Sequence, residues 1–120
     1  MTVTPPSIDD VLAALAEPRR RHVLDRLAAH GEATATVLTG ELPVSRQAIV
    51  QHLAVLDQAG LVTSLRVGRE RRYRVRPESL RATAAWMVQA AAAWDTRLDA
   101  IRQLAETPAD PDPDESTSVR

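Results

Sequence analysis

The chain of 120 residues has no cysteine, no lysine and no phenylalanine, and only one tyrosine and two tryptophans. Without cysteine there is neither a disulfide nor a thiolate metal site. No apolar run approaches the ~20 residues that a membrane-spanning helix requires. The opening residues MTVTPPSIDD have neither a basic start nor an apolar centre, so they do not read as a secretory signal, and we expect a cytoplasmic protein. No Ser-His-Asp arrangement, nucleophile elbow or phosphate-binding loop can be assembled, so the chain does not read as an enzyme and no cofactor is expected. The missing lysine, in an alanine-rich chain, fits a GC-rich codon bias and has no functional meaning alone.

What the chain does have is arginine, placed unevenly. The formal net charge is −1, yet residues 106–120 carry a net charge of −4 and the rest a net charge of +3. Residues 61–81 alone reach +5, and the stretch RVGRERRYRVR (66–76) places six arginines in eleven positions. Such a segment is either solvated surface or the seat of something anionic.

The flanking pattern decides between these. The tail TPADPDPDESTSVR (107–120) is acidic and nearly devoid of apolar residues, so disorder is expected there, as it is at residues 1–6. Between them, residues 7–106 read as one domain. Ser7, with Asp10 three residues on, starts a helix whose apolar face is Ile8, Val11, Leu12 and Leu15. A second helix runs from about Arg19 to His30, with Val23, Leu24 and Leu27 inward and Gly31 as its stop. Arg19, Arg20 and Arg21 open that helix against its macrodipole, so an anionic neighbour is expected, Glu17 or another acid first and a nucleic-acid phosphate second. ATVLTGEL (35–42) predicts a short third helix, broken by Pro43. Ser45 caps a fourth over 46–58, with Ile49, Leu53 and Leu56 inward and Arg46, Gln47, Val50, Gln51 and Ala54 outward. Strands near 61–66 and 71–76 turn at Gly68, and alternation places Arg72, Arg74 and Arg76 on one face, Tyr73 and Val75 on the other. Pro77 opens a last helix, reaching about Glu106. Along it Leu80, Ala84, Met87, Ala91, Trp94, Leu98, Ile101 and Ala105 recur at steps of four and three, a heptad-like seam.

Two helices joined by a tight turn and followed by a basic hairpin describe a winged helix-turn-helix: a mainly α fold with a small β-hairpin. In this motif the second helix of the pair enters the major groove of duplex DNA while neighbouring elements grip phosphate. Gln47 and Gln51 are one turn apart and suited to adenine, and Arg46 to phosphate or a base edge. His52, at the edge of the buried stripe, either touches DNA or makes a structural hydrogen bond. Arg66, Arg69, Arg71 and Arg72 surround the wing and are expected on phosphate or in the minor groove. Tyr73 is expected to pack beneath it. A protein-binding module on the same scaffold is the alternative, though such a module has no need of the basic wing.

LAEPRRRHVLDRL (15–27), LPVSRQAIVQHLAVLDQAGLV (42–62) and VGRERRYRV (67–75) resemble the ArsR/SmtB family of bacterial winged-helix repressors. The pattern of Ser45, His52 and Leu53, followed by AGLV and a basic wing, carries most of the likeness. WDTRLDAIRQL (94–104) further resembles a metal-independent branch of the family. The resemblance implies a homodimer joined through N- and C-terminal helices (about 8–16 and 78–106), and repression by occupying a two-fold symmetric operator. Ile8, Leu12, Leu80, Met87, Trp94, Leu98 and Ile101 are the expected interface residues, and Ser45, Arg46, Gln47, Val50, Gln51 and His52 fall in the reading helix. Ala54 stands where many relatives carry Lys or Arg. Val50 stands where Ser is common, exchanging a hydroxyl for a group able to meet a thymine methyl. No metal is expected: Asp95 and Asp99 lack a histidine beside them, since none follows His52. Trp86 and Trp94 are read as part of the seam before any ligand pocket.

Overall fold

The computed structural model describes residues 7–106, so the expectations for 1–6 and 107–120 lie outside the described residues. Helix α1 (Ile8–Ala16) starts at a reciprocal cap. The Ser7 hydroxyl accepts the Asp10 N–H at 3.1 Å, and the Asp10 carboxylate accepts the Ser7 N–H at 3.3 Å. Its inward face departs from the expected one at a single position: Ile8 and Leu15 are half-buried as expected, with Leu15 against the core. Val11 and Ala14 are buried, whereas Leu12 is 37% exposed. Ala14 takes the inward place that a reading of large apolar side chains assigns to Leu12.

Helix α2 (Pro18–His30) has Pro18 in its first turn, where the missing N–H costs nothing, and ends at Gly31, whose φ of 79° only glycine adopts freely. The arginines at its start find a different partner from the one expected. The Glu17 carboxylate accepts the Arg19 backbone N–H at 3.2 Å and so caps the helix. The guanidinium groups instead reach back to α1: Arg20 Nε donates to the Ala14 carbonyl at 2.7 Å and Arg21 Nη1 to that of Leu15 at 2.5 Å. The unpaired carbonyls ending a helix are its negative pole, and they serve in place of a carboxylate.

Strand β1 (Ala33–Thr34), too short to be seen in the sequence, leads into α3 (Ala35–Thr39), capped by the Thr34 hydroxyl. Helix α3 ends at Gly40, short of the expected 42. Then come α4 (Arg46–Gln58), β2 (Val62–Val67), β3 (Glu70–Val75) and α5 (Pro77–Glu106). The sheet is antiparallel in the order β1-β3-β2, with Ala33 opposite Tyr73 and Thr34 opposite Arg72. Val67 faces Glu70, so Gly68 and Arg69 form a two-residue turn, and Gly68 has the positive φ (63°) that a type II′ turn requires at its first position.

Val23, Leu27, Leu38, Ile49, Leu53, Leu56, Leu61 and Val62 are fully buried and tie α2, α3, α4 and the base of the hairpin together. Tyr73 is buried under the wing, as expected. Thr83 is buried with its hydroxyl donating to the Ser79 carbonyl at 2.8 Å.

The chain divides into two compact units between Ala84 and Ala85. The first ends with the opening turns of α5, where Leu80 packs against the core. In the second, no residue from 85 to 106 is buried. Along it Met87, Trp94, Leu98 and Ile101 keep the expected helical spacing, with Trp94 58% and Ile101 60% exposed. The Arg97 guanidinium lies 5.3 Å from the Trp94 ring centre, and Arg102 pairs with Asp99 at 3.3 Å.

Candidate nucleic-acid interface

Helix α4 buries Ile49, Leu53 and Leu56, spaced so that they form one stripe. That leaves Arg46, Gln47, Val50, Gln51 and Ala54 exposed on the other side. The Ser45 hydroxyl accepts the Ala48 N–H at 3.1 Å, which fixes the start of the helix. Arg46 Nε donates to Thr36 Oγ1 of α3 at 3.4 Å.

Pairing register assigns the hairpin's two faces. Val62, Ser64 and Arg66 of β2 stand opposite Val75, Tyr73 and Arg71 of β3 on one face. Thr63, Leu65 and Val67 stand opposite Arg74, Arg72 and Glu70 on the other. The first face is buried at its base through Val62 and Tyr73 and ends in Arg66 and Arg71. Arg71 Nη1 donates to Ser64 Oγ at 2.9 Å, which props its side chain along the strand.

These elements enclose an open cleft of about 530 Å³, lined by Thr36 and Val37 of α3, Arg46 and Val50 of α4, and Arg66, Arg69 and Arg71 of the hairpin. Among the described residues no carboxylate lies within 4.0 Å of the guanidinium of Arg46, Arg66, Arg69 or Arg71. Glu70 also lines the cleft, but its carboxylate pairs with Arg72 at 3.2 Å. Converging cations without counter-ions create a positive potential that draws a polyanion.

The other hairpin face is neutralised. Arg72 and Arg74 share Glu32 at 3.8 and 3.7 Å, and Arg76 pairs with Glu78 at 3.5 Å. The structure does not bring Arg72 into the cleft, and the basic face expected from alternation is present with its arginines ion-paired. The reason is β1, whose pairing with β3 delivers Glu32 to Arg72 and Arg74 from some forty residues away in sequence.

Gln47 and Gln51 lie on the exposed side of α4 but do not line the cleft, and neither do Ser45 and His52. His52 is half-buried. That burial, reinforced by the nearby Arg20, lowers its pKa from the ordinary 6.5 and so disfavours the charged ring. Sequence reasoning passed over Thr36 and Val37, because a five-residue helix is too short to display a periodic face. Among the described residues no group of three or more His, Asp or Glu is placed to hold a metal, and no helix is long and apolar enough to cross a membrane.

A short helix, a turn, a second helix with an exposed polar side and an adjoining arginine-tipped hairpin define a winged helix-turn-helix DNA-binding domain. Residues 15–64 match the family model described as a helix-turn-helix domain. The chain is 38% identical over 104 residues to the HTH-type transcriptional regulator Rv2034 of Mycobacterium tuberculosis, covering 87% of this chain and 94% of that protein. It is 44% identical to an ArsR-like transcriptional regulator of Rhodococcus sp. RHA1, whose structure superposes with a TM-score of 0.74 over 84% of this chain and 94% of that one. A second structure is that of Mb0332 from Mycobacterium bovis, a homodimeric winged helix-turn-helix DNA-binding domain and possible ArsR-family regulator. It is 29% identical, with a TM-score of 0.57 over 70% of this chain and 78% of that one. The chain belongs to the ArsR family of winged helix-turn-helix transcriptional regulators. It is a DNA-binding transcriptional regulator, of a family that is not one of enzymes.

Proposed function

We propose that the protein is a homodimeric repressor that occupies a two-fold symmetric operator, with α4 in the major groove and the hairpin tip on the flanking backbone. The observation that carries this reading is the cleft, where four arginines without counter-ions adjoin the exposed side of α4. Gln47 and Gln51 read base edges; Arg66, Arg69 and Arg71 grip phosphate; Arg46, held by Thr36, serves either; Ser45 fixes the helix start. His52 and Arg72, which do not line the cleft, are assigned no phosphate in this reading.

The second unit supports the dimer. Met87, Trp94, Leu98 and Ile101 are exposed along one helix, and covering each such side chain is worth roughly 1.5–3 kcal/mol. Ile8 and Leu12 of α1, with Leu80, also belong to the dimer interface in this reading, and the M. bovis relative is itself homodimeric. A dimer places two reading helices about one helical turn of DNA apart, which suits a symmetric site. Release from the operator is independent of zinc, arsenite, cadmium and nickel, a reading that rests on the absence of cysteine and of histidine beyond His52. Residues 7–106 act as the working domain, in the cytoplasm.

Selection of bound sequences from random duplex DNA tests this directly. A two-fold symmetric motif is expected, bound by a species sedimenting at twice 13.1 kDa. A sedimenting monomer with intact helicity, or an asymmetric motif, would refute the dimeric reading.

A further inference from the structure

We propose that Val37 and Val50 together form a seat for the 5-methyl group of a thymine, so that each half-operator contains a thymine read through its methyl. This inference rests on the operator-binding reading above and adds to it a chemical preference. Among the described residues of the first unit the exposed large apolar side chains are Leu12, Val37, Val50, Leu65 and Val67. Two of these, Val37 at 43% and Val50 at 38% exposure, come from different helices of the motif and both line the cleft ringed by Arg46, Arg66, Arg69 and Arg71.

The arginines commit the occupant of the cleft to a polyanion. The valines then say which part of it lies between them, since an aliphatic side chain gains nothing from phosphate and offers no donor to a base edge. Of the groups that duplex DNA displays in the major groove, the thymine methyl is the apolar one. Both valines are presented rigidly. Val50 follows Arg46 by four residues and Gln47 by three, so it shares their side of α4. The Val37 N–H donates to the Thr34 hydroxyl at 3.2 Å, which fixes the first turn of α3. A β-branched side chain has little rotamer freedom to lose on contact, so an exposed valine pair suits a small methyl better than a flexible residue would.

The test uses wild-type protein first. In the selected operator, thymines are replaced one at a time by deoxyuridine, which removes the methyl and leaves pairing and charge unchanged. Affinity is expected to fall roughly fourfold at one position in each half-site, the effect of uncovering about one methyl-sized group, with no change in salt dependence. Val50→Ala and Val37→Ala are then expected to bring the thymine-to-uracil ratio at that position close to one. Equal binding of thymine and uracil at every position, with the operator still preferred over random DNA, would overturn this inference and leave the operator reading standing. A selection that returns no motif would overturn both.

Discussion

Arg71 and Arg72 are neighbours in sequence, yet they stand on opposite faces of the hairpin and in opposite electrostatic states. On the cleft side, Arg66 and Arg71 have no carboxylate within reach among the described residues. On the far side, Arg72 and Arg74 share Glu32, and Arg72 also holds Glu70. Residue type cannot separate them, nor can local charge density. The separation comes from the pleat, which sends alternate side chains to opposite faces, and from β1, which supplies an acid to one face only. A basic stretch is thus two surfaces, one whose arginines have carboxylates beside them and one whose arginines have none among the described residues.

The largest effect should come from emptying the cleft. Replacing Arg66, Arg69 and Arg71 together by Ala should lower the slope of log K against log salt by roughly 0.9 for each phosphate no longer gripped, and weaken operator and random DNA alike. Arg72→Ala and Arg74→Ala should change that slope by well under one unit. Filter binding across a salt series checks both, and equal effects from the two faces would dissolve the distinction. Gln47→Ala and Gln51→Ala form a third class. Each should narrow the gap between operator and random DNA by about 1–3 kcal/mol without moving the slope, because a base edge varies with sequence and phosphate charge does not.

Helix α4 was visible in the sequence because its signals are local. Ser45 caps, Ile49, Leu53 and Leu56 repeat at helical spacing, and Gly60 follows, so one window of residues fixes both the buried stripe and the side opposite to it. The same holds for the hairpin turn at Gly68. What stayed hidden depends on distance in sequence. Two residues of strand cannot announce themselves, yet Ala33 and Thr34 decide where Glu32 goes and hence which arginines are free. Arg20 and Arg21 likewise answer a helix terminus, because backbone carbonyls bear charge that a count of acids omits. Val37 belongs to the cleft only once α3 is packed beside α4.

A smaller effect tests the role assigned to Glu32. Glu32→Gln would release Arg72 and Arg74 from their pairing, and exposed pairs of this kind are worth at most ~1 kcal/mol, so thermal stability should barely change. If the far face stays away from DNA, the salt slope should also hold, despite two newly unpaired guanidiniums. A steeper slope in this variant would show that the wing's outer face reaches phosphate once it is freed.

The smallest effect concerns a paired arginine distant from the hairpin. Glu41 accepts from Arg26 Nε at 2.9 Å and meets His30 Nε2 at 2.7 Å, joining the turn after α3 to α2. Hydrogen bonds from Arg26 and then His30 hold its carboxyl below the ordinary 4.5. A carboxyl lowered in the fold binds fewer protons there than in the unfolded chain. Its contribution to stability is therefore complete above the unfolded value and is lost as pH falls through the folded one. Glu41→Gln removes the titrating group, so the variant should lose less stability than the wild type as pH falls from above the ordinary carboxylate value through the lowered one. Urea titrations across that range measure the difference, while the salt slope of DNA binding near neutral pH should be the same in both proteins. Parallel acid limbs would show that Arg26 and His30 hold this carboxylate no better than water does, and a changed slope would place the α2–α3 corner against DNA.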